Sequence, residues 1–162
     1  MTASYTATQK ALHWIIALII PLQWWTSRAV LRTHEIHAFG RKTDPFDLTL
    51  HRLHIYAGVA VLALTLWRIA LRIRLGAPPL PAAFPDWVAK TAWAAHMLTY
   101  AVLVGLTLTG LITTYVWFGM GAAHRALVYV LYLFIVAHVM ATIWHEAHGE
   151  GVLGRMLRIT DR

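Results

Sequence analysis

The sequence predicts an all-α integral membrane protein, a bundle of four spanning helices in up-down order. Three observations carry that prediction. Of the 162 residues, 59% are hydrophobic and only 13% are charged, whereas a soluble domain is about half apolar and about a quarter charged. Mean hydropathy is +0.57, and because one span needs roughly 20 apolar residues the apolar content fills about four of them. The apolar residues also fall into four blocks, Leu12 to Val30, His54 to Leu71, Thr91 to Trp117 and Ala122 to Trp144. No room is left for a separate soluble domain, so 1–162 reads as a single transmembrane domain.

The first block predicts a helix over about 10–30. It holds His13, Gln23, Trp24 and Trp25, its apolar run exceeds a signal core, and no A-x-A pair follows, so it reads as a retained helix rather than a cleaved leader. Arg32 to Arg52, RTHEIHAFGRKTDPFDLTLHR, reads as a polar loop, and its His34 and His37 are assigned no role beyond a weak surface metal contact. The second helix is expected over about 52–74, and the proline-rich RIRLGAPPLPAAFPD follows it. The third is expected over about 88–117 and the fourth over about 122–147, with a tight glycine-containing turn from Phe118 to Gly121 between them. Backbone polar groups in lipid must be satisfied internally, which makes the spans helices, and short links make consecutive helices neighbours.

Lys and Arg bias orients the bundle. With both termini in the cytoplasm of a bacterial inner membrane, Lys10, Arg68, Arg72, Arg74, Lys90, Arg155, Arg158 and Arg162 lie inside, against Arg28, Arg32, Arg41, Lys42, Arg52 and Arg125 outside. The basic pI near 10.3 therefore reflects membrane-flanking cations. No base-reading motif is present, and no nucleic-acid partner is expected; membrane lipid is.

The chain has no cysteine. That excludes disulfides, thiolate clusters and the CxxCH attachment of covalent haem. The abundant ligand type is histidine, with 10 residues. Ionisable side chains within a membrane are expensive and usually functional, and every block carries one: His13, His54, His96, then His124 and His138. His124 and His138 are 14 residues apart, about 21 Å along an axis, and 14 steps of about 100° fall only about 40° short of four turns. Both rings thus leave nearly the same face, one near each membrane surface. That suits two stacked cofactors better than one metal ion, whose ligands must converge. By depth His13 belongs with His138 on the inner half, and His54 with His124 on the outer half. Each pair can hold a haem iron axially, so that His13, His54, His124 and His138 become the metal ligands of two noncovalent b-type haems.

Around them stand further candidates. Gly58, one turn after His54, can make space for a flat ring or simply serve helix packing. Arg52 and Arg125 beside the outer ligands, and Lys10, Arg72 and Arg74 on the inner side, can pair with propionates or merely mark the membrane edge. Arg68 lies deeper and is the better candidate for a functional contact. His51 competes with His54 as the outer ligand, and His96 can replace His13 or help bind a quinone. His145 is a candidate catalytic proton acceptor for quinone chemistry, since imidazole titrates near neutrality.

QKALHW around His13, RLHIYAG around His54, AAHMLTYAVLVGLTLTG around His96, and the His124 to His138 spacing followed by His145 together resemble the prokaryotic cytochrome b(561) family. These are small dihaem four-helix membrane proteins related to the cytochrome b subunits of hydrogenases and formate dehydrogenases. The resemblance covers nearly the whole chain, including APPLP and the terminal GVLGRML. It implies that the histidines matching His13 and His138 hold the inner haem and those matching His54 and His124 the outer one. One branch resembles a superoxide:ubiquinone oxidoreductase, with the histidine matching His145 near the quinone. The sequence departs from that branch in its very short third link and in its extended first link, HEIHAFGRKTDPFDLTL. Arg41, Lys42, Arg52 and Arg125 can steer a small anion toward the outer face, but Glu35, Asp44 and Asp47 offset them.

Three readings follow: a self-contained enzyme passing electrons from an outer donor such as superoxide to quinone; an electron-transfer subunit docking a dehydrogenase or periplasmic redox partner; and a histidine-using transporter or metal-binding protein without haem.

Overall fold

A computed structural model describes residues 5–40, 42–78 and 84–157. The described residues form α1 (Ala7–Ala38), α2 (Pro45–Leu75), α3 (Asp86–Tyr115), a single 3-10 turn (Phe118–Met120), α4 (Gly121–Ala147) and a short α5 (Gly154–Leu157). Four of these helices are long and apolar enough to cross a membrane. The architecture is the all-α four-helix membrane bundle that the composition predicts.

Local chemistry sets the helix ends. Thr6 Oγ1 accepts from the Gln9 N–H at 3.2 Å while Gln9 Oε1 accepts from the Thr6 N–H at 3.1 Å, a reciprocal cap at the start of α1. Asp44 accepts from the Phe46 N–H at 2.6 Å, and Pro45 occupies the first position of α2, where a missing N–H has no consequence. Gly76, with φ 73°, ends α2 in a left-handed conformation that side-chain-bearing residues rarely adopt.

Both α1 and α2 run further than the sequence suggests. His34 and His37, expected in a polar loop, lie in α1, and the first link shrinks to 39–44. The cause is polar pairing between the two extensions. Arg32 Nε and Nη2 donate to both oxygens of Asp47 at 2.8 and 2.5 Å, and Thr33 Oγ1 meets His51 Nδ1 at 2.8 Å. The third link is as short as expected. Arg41, given an anion-steering role above, lies outside the described residues, as do residues 79–83 of the proline-rich link and Arg158 and Arg162.

α1 packs on α2, α2 on α3, and α3 on α4, whereas the backbones of α1 and α4, and of α2 and α4, make no comparable approach. Each spanning helix sends one residue into a buried apolar layer of Ile16, Val61, Leu103 and Leu131. Leu131 stands seven residues from His124 and seven from His138, so this layer lies midway between the histidine levels. Leu18, Leu66, Trp67, Leu133, Val136 and Ile143 are exposed on the outside of the bundle. Large apolar side chains in that position are the surface that lipid covers.

Candidate haem-binding levels

Alternating helix direction sorts the polar side chains into two groups. His13 of α1, Arg68 of α2, His96 and Tyr100 of α3, and His138 of α4 gather on one side of the apolar layer. On the other side are Gln23 and Thr26 of α1, His54 and Gly58 of α2, Thr109 and Gly110 of α3, and His124 of α4. Along α4 the two levels are about 21 Å apart at 1.5 Å per residue.

At the first of these levels, the inner one in the orientation expected from the Lys and Arg bias, the His13 and His138 ring centroids are 6.1 Å apart with their planes at 67°. His96 and His138 are 5.9 Å apart with their planes at 85°. A metal–imidazole bond is about 2.0–2.1 Å, so two rings that would hold one metal ion between them need centres roughly 6 Å apart. Both separations suit one iron between two rings. The packing differs, however. α3 and α4 are in direct contact, and helices so packed have axes about 8–10 Å apart, which leaves no slot for a macrocycle between them. The backbones of α1 and α4 do not pack so closely.

Arg68 is 9% exposed. Its Nε donates to the Tyr100 hydroxyl at 3.1 Å and its Nη1 to the Gln9 carbonyl at 2.6 Å. The guanidinium lies within electrostatic reach of His13, His96 and His138.

At the outer level His54 and His124 come from α2 and α4, two helices whose backbones do not pack closely. Hydrogen bonding fixes the tautomer of each. The Thr26 hydroxyl donates to the Leu22 carbonyl at 2.8 Å, so its lone pair must accept from His54 Nδ1–H at 3.1 Å. His124 Nδ1 meets the Leu106 carbonyl at 2.9 Å, which can only accept. In both rings Nε2 keeps the lone pair that a metal needs, the usual arrangement behind a ligating histidine. His96 Nδ1 on the Ala92 carbonyl at 2.6 Å has the same form. Gly110 lies against the His124 ring, where an added Cβ would come 3.0 Å from Cε1.

Gly58 faces the Gln23 side chain, whose Nε2 would be 3.2 Å from an added Cβ. The Gln23 Oε1 is buried without a partner among the described residues. Arg125 is exposed and acts electrostatically on His124. His51 turns instead toward Thr33 and toward His34, whose ring is 5.1 Å away.

His145 closes the inner end of α4. Its Nδ1 pairs with the Glu150 carboxylate, and the Phe84 ring lies 5.2 Å away. Gly149 (φ 75°) and Gly151 (φ 61°) turn the chain so that Glu150 reaches back, and Trp14 Nε1 donates to the Met156 carbonyl at 3.1 Å, joining the C-terminal segment to α1. Among the described residues no three His, Asp or Glu side chains converge on a point that would hold a bare metal ion.

Thr26, Tyr100, Gly110 and Glu150 were not singled out by sequence. Thr26 and Thr33, seven residues apart on α1 and each meeting a histidine of α2, are the one pattern that could have flagged such a residue.

Residues 4–158 match the family model for prokaryotic cytochrome b561. The chain is 21% identical over 168 residues to a probable superoxide oxidase, CybB, of Yersinia pestis, covering 90% of each chain. It is 27% identical over 155 residues to cytochrome b562 of Cereibacter sphaeroides, covering 95% of each. It is 25% identical over 107 residues to cytochrome b561 homolog 1 of Escherichia coli K12, covering 66% of this chain and 57% of that one.

Proposed function

The chain belongs to the prokaryotic cytochrome b561 family of membrane electron-transfer proteins, and from that premise we propose that it carries electrons through two b-type haems from an outer-face donor to quinone at the inner face. It is a multi-pass bacterial membrane protein, and both termini are assigned to the cytoplasm on the Lys and Arg bias. Bound haem supplies reversible one-electron chemistry; the protein positions and insulates it and sets its potential.

His13 and His138 are the inner ligands in this reading, and His54 and His124 the outer ones. The observation that carries it is the 6.1 Å ring separation of His13 and His138 across two helices whose backbones stand apart. His96 is the alternative partner of His138, supported by its 5.9 Å separation and opposed by the close packing of α3 on α4. Thr26 and the Leu106 carbonyl orient the outer rings. The Ile16, Val61, Leu103 and Leu131 layer keeps water from the space between the levels.

Arg125 on the outer side is the cation assigned to an anionic propionate, and Arg68, deeper on the inner side and held by the neutral Tyr100 hydroxyl and Gln9 carbonyl, is assigned a functional contact with the inner haem. Gly58 is assigned to the outer pocket through the room it gives Gln23. His145, held by the Glu150 carboxylate at the inner end, is assigned as the proton donor or acceptor for quinone, a role a positioned imidazole can fill.

Superoxide as donor is supported by the likeness to the probable superoxide oxidase. The competing reading is a subunit that takes electrons from a periplasmic partner or a dehydrogenase. The exposed Arg28, Arg52 and Arg125 favour it, because they offer an acidic protein surface a docking patch. Stopped-flow reduction of the purified protein by superoxide, followed by reoxidation on adding ubiquinone, tests the enzyme. Haems that superoxide leaves oxidised, together with a stoichiometric partner on pulldown from native membranes, would establish the subunit instead.

A further inference from the structure

We propose that Arg68 makes the inner level the electron sink, its fixed positive charge raising the reduction potential of the inner haem above that of the outer one. The inference rests on the two-haem reading above and adds a direction to it.

A charge inside a membrane bundle is normally neutralised by an opposite charge or kept near water. Arg68 is neither. It is buried at 9% exposure, and both of its hydrogen-bond acceptors, the Tyr100 hydroxyl and the Gln9 carbonyl, are neutral. No carboxylate among the described residues pairs with it; the ion-paired carboxylates are Asp47, with Arg32, and Glu150, with His145. A guanidinium does not give up its proton in proteins, so the charge persists at every physiological pH.

Adding an electron to a ferric centre makes it more negative by one charge, and a nearby cation stabilises that product. Burial keeps the interaction unscreened, whereas salt and water damp the effect of exposed charges. Arg68 holds the carbonyl of Gln9, one turn before His13, and the hydroxyl of Tyr100, one turn after His96, so its charge stands at the level of an inner iron whichever pair of these rings holds it. Half-buried Arg72 adds to it at His96. The outer-level arginines Arg28, Arg52 and Arg125 are all exposed. The asymmetry between a buried cation inside and solvated cations outside favours transfer of one electron from the outer centre to the inner one. That step makes and breaks no bond and requires no proton.

The test is a spectroscopic redox titration of the purified, haem-loaded full-length protein and its variants. Wild type is expected to show two midpoints, and His138→Ala to lose the higher one. Arg68→Gln is expected to lower the inner reduction equilibrium tenfold or more, at about 59 mV per tenfold for one electron. Arg68→Lys should restore most of that shift, and Tyr100→Phe, which removes a hydrogen bond but no charge, should stay near wild type. Unchanged midpoints in an Arg68→Gln protein that still binds both haems would overturn the proposal; a haem propionate neutralising Arg68 would give that result. Loss of the lower midpoint in His138→Ala would overturn it too, and decides the matter even where Arg68→Gln does not fold. Fewer than two haems in wild type would instead refute the two-haem reading on which it stands.

Discussion

The hydroxyl of Thr26 lies 3.1 Å from His54 Nδ1 while its own proton goes to the Leu22 carbonyl 2.8 Å away. One bond on α1 therefore dictates the tautomer of a ring on α2 and turns its Nε2 into the free donor. Thr26→Val keeps the shape and removes the acceptor. Partners of this kind are typically worth 10- to 100-fold in metal affinity, so the variant is expected to release outer haem about that much faster to a haem-binding competitor while the inner haem is unaffected. Equal release rates for variant and wild type would show that the bond has no such role.

The inner level offers His138 two partners at nearly the same distance, His13 at 6.1 Å and His96 at 5.9 Å. The close packing of α3 on α4 supports His13. Pigment extraction from purified variants is expected to find one haem in His13→Ala and in His138→Ala, and two in His96→Ala. One haem in His96→Ala with two in His13→Ala would reverse the assignment.

Gly110 sets two effects against each other. Gly110→Ala gains about 1 kcal/mol of helix propensity but puts a Cβ 3.0 Å from His124 Cε1, so the ring must shift by a few tenths of an ångström. Thermal unfolding is expected to stay near wild type, with a changed outer-haem spectrum, and Gly110→Val should lose the outer haem altogether. A Gly110→Val protein that keeps both haems and an unaltered spectrum would show that the close approach has no bearing on the site.

How much of this was legible in the sequence follows from the range of the interactions. The four helices, their order and the shared face of His124 and His138 arise from composition and periodicity, which are local. The ends of α1 and α2 are not local in this sense, because residues 32–38 read as a loop until Asp47 and His51 are seen opposite Arg32 and Thr33. Depth along each helix already grouped His13 with His138, but it grouped His96 with them equally well. Only the close packing of α3 on α4, which α1 and α4 do not match, separates the two. Thr26, Gly110 and Tyr100 owe their places to partners on other helices, which no spacing rule reveals.

His145 and Glu150 form a pair at the inner end of α4. His145→Phe is expected to slow reoxidation of reduced protein by ubiquinone by about 100-fold, the lower range for a general acid or base, and to leave both haem spectra intact. Glu150→Gln, which keeps the ring but loosens its hold, should fall between that variant and wild type. Reoxidation at the wild-type rate in His145→Phe would place proton exchange elsewhere.

The central claim is that imidazoles hold an iron porphyrin at each of two depths. Haem extracted per mole of purified chain, read with the reduced-minus-oxidised visible spectrum, tests it most directly. Two acid-extractable haems with b-type bands are the predicted result; a single haem per chain, or a colourless protein after expression with ample haem, would contradict it.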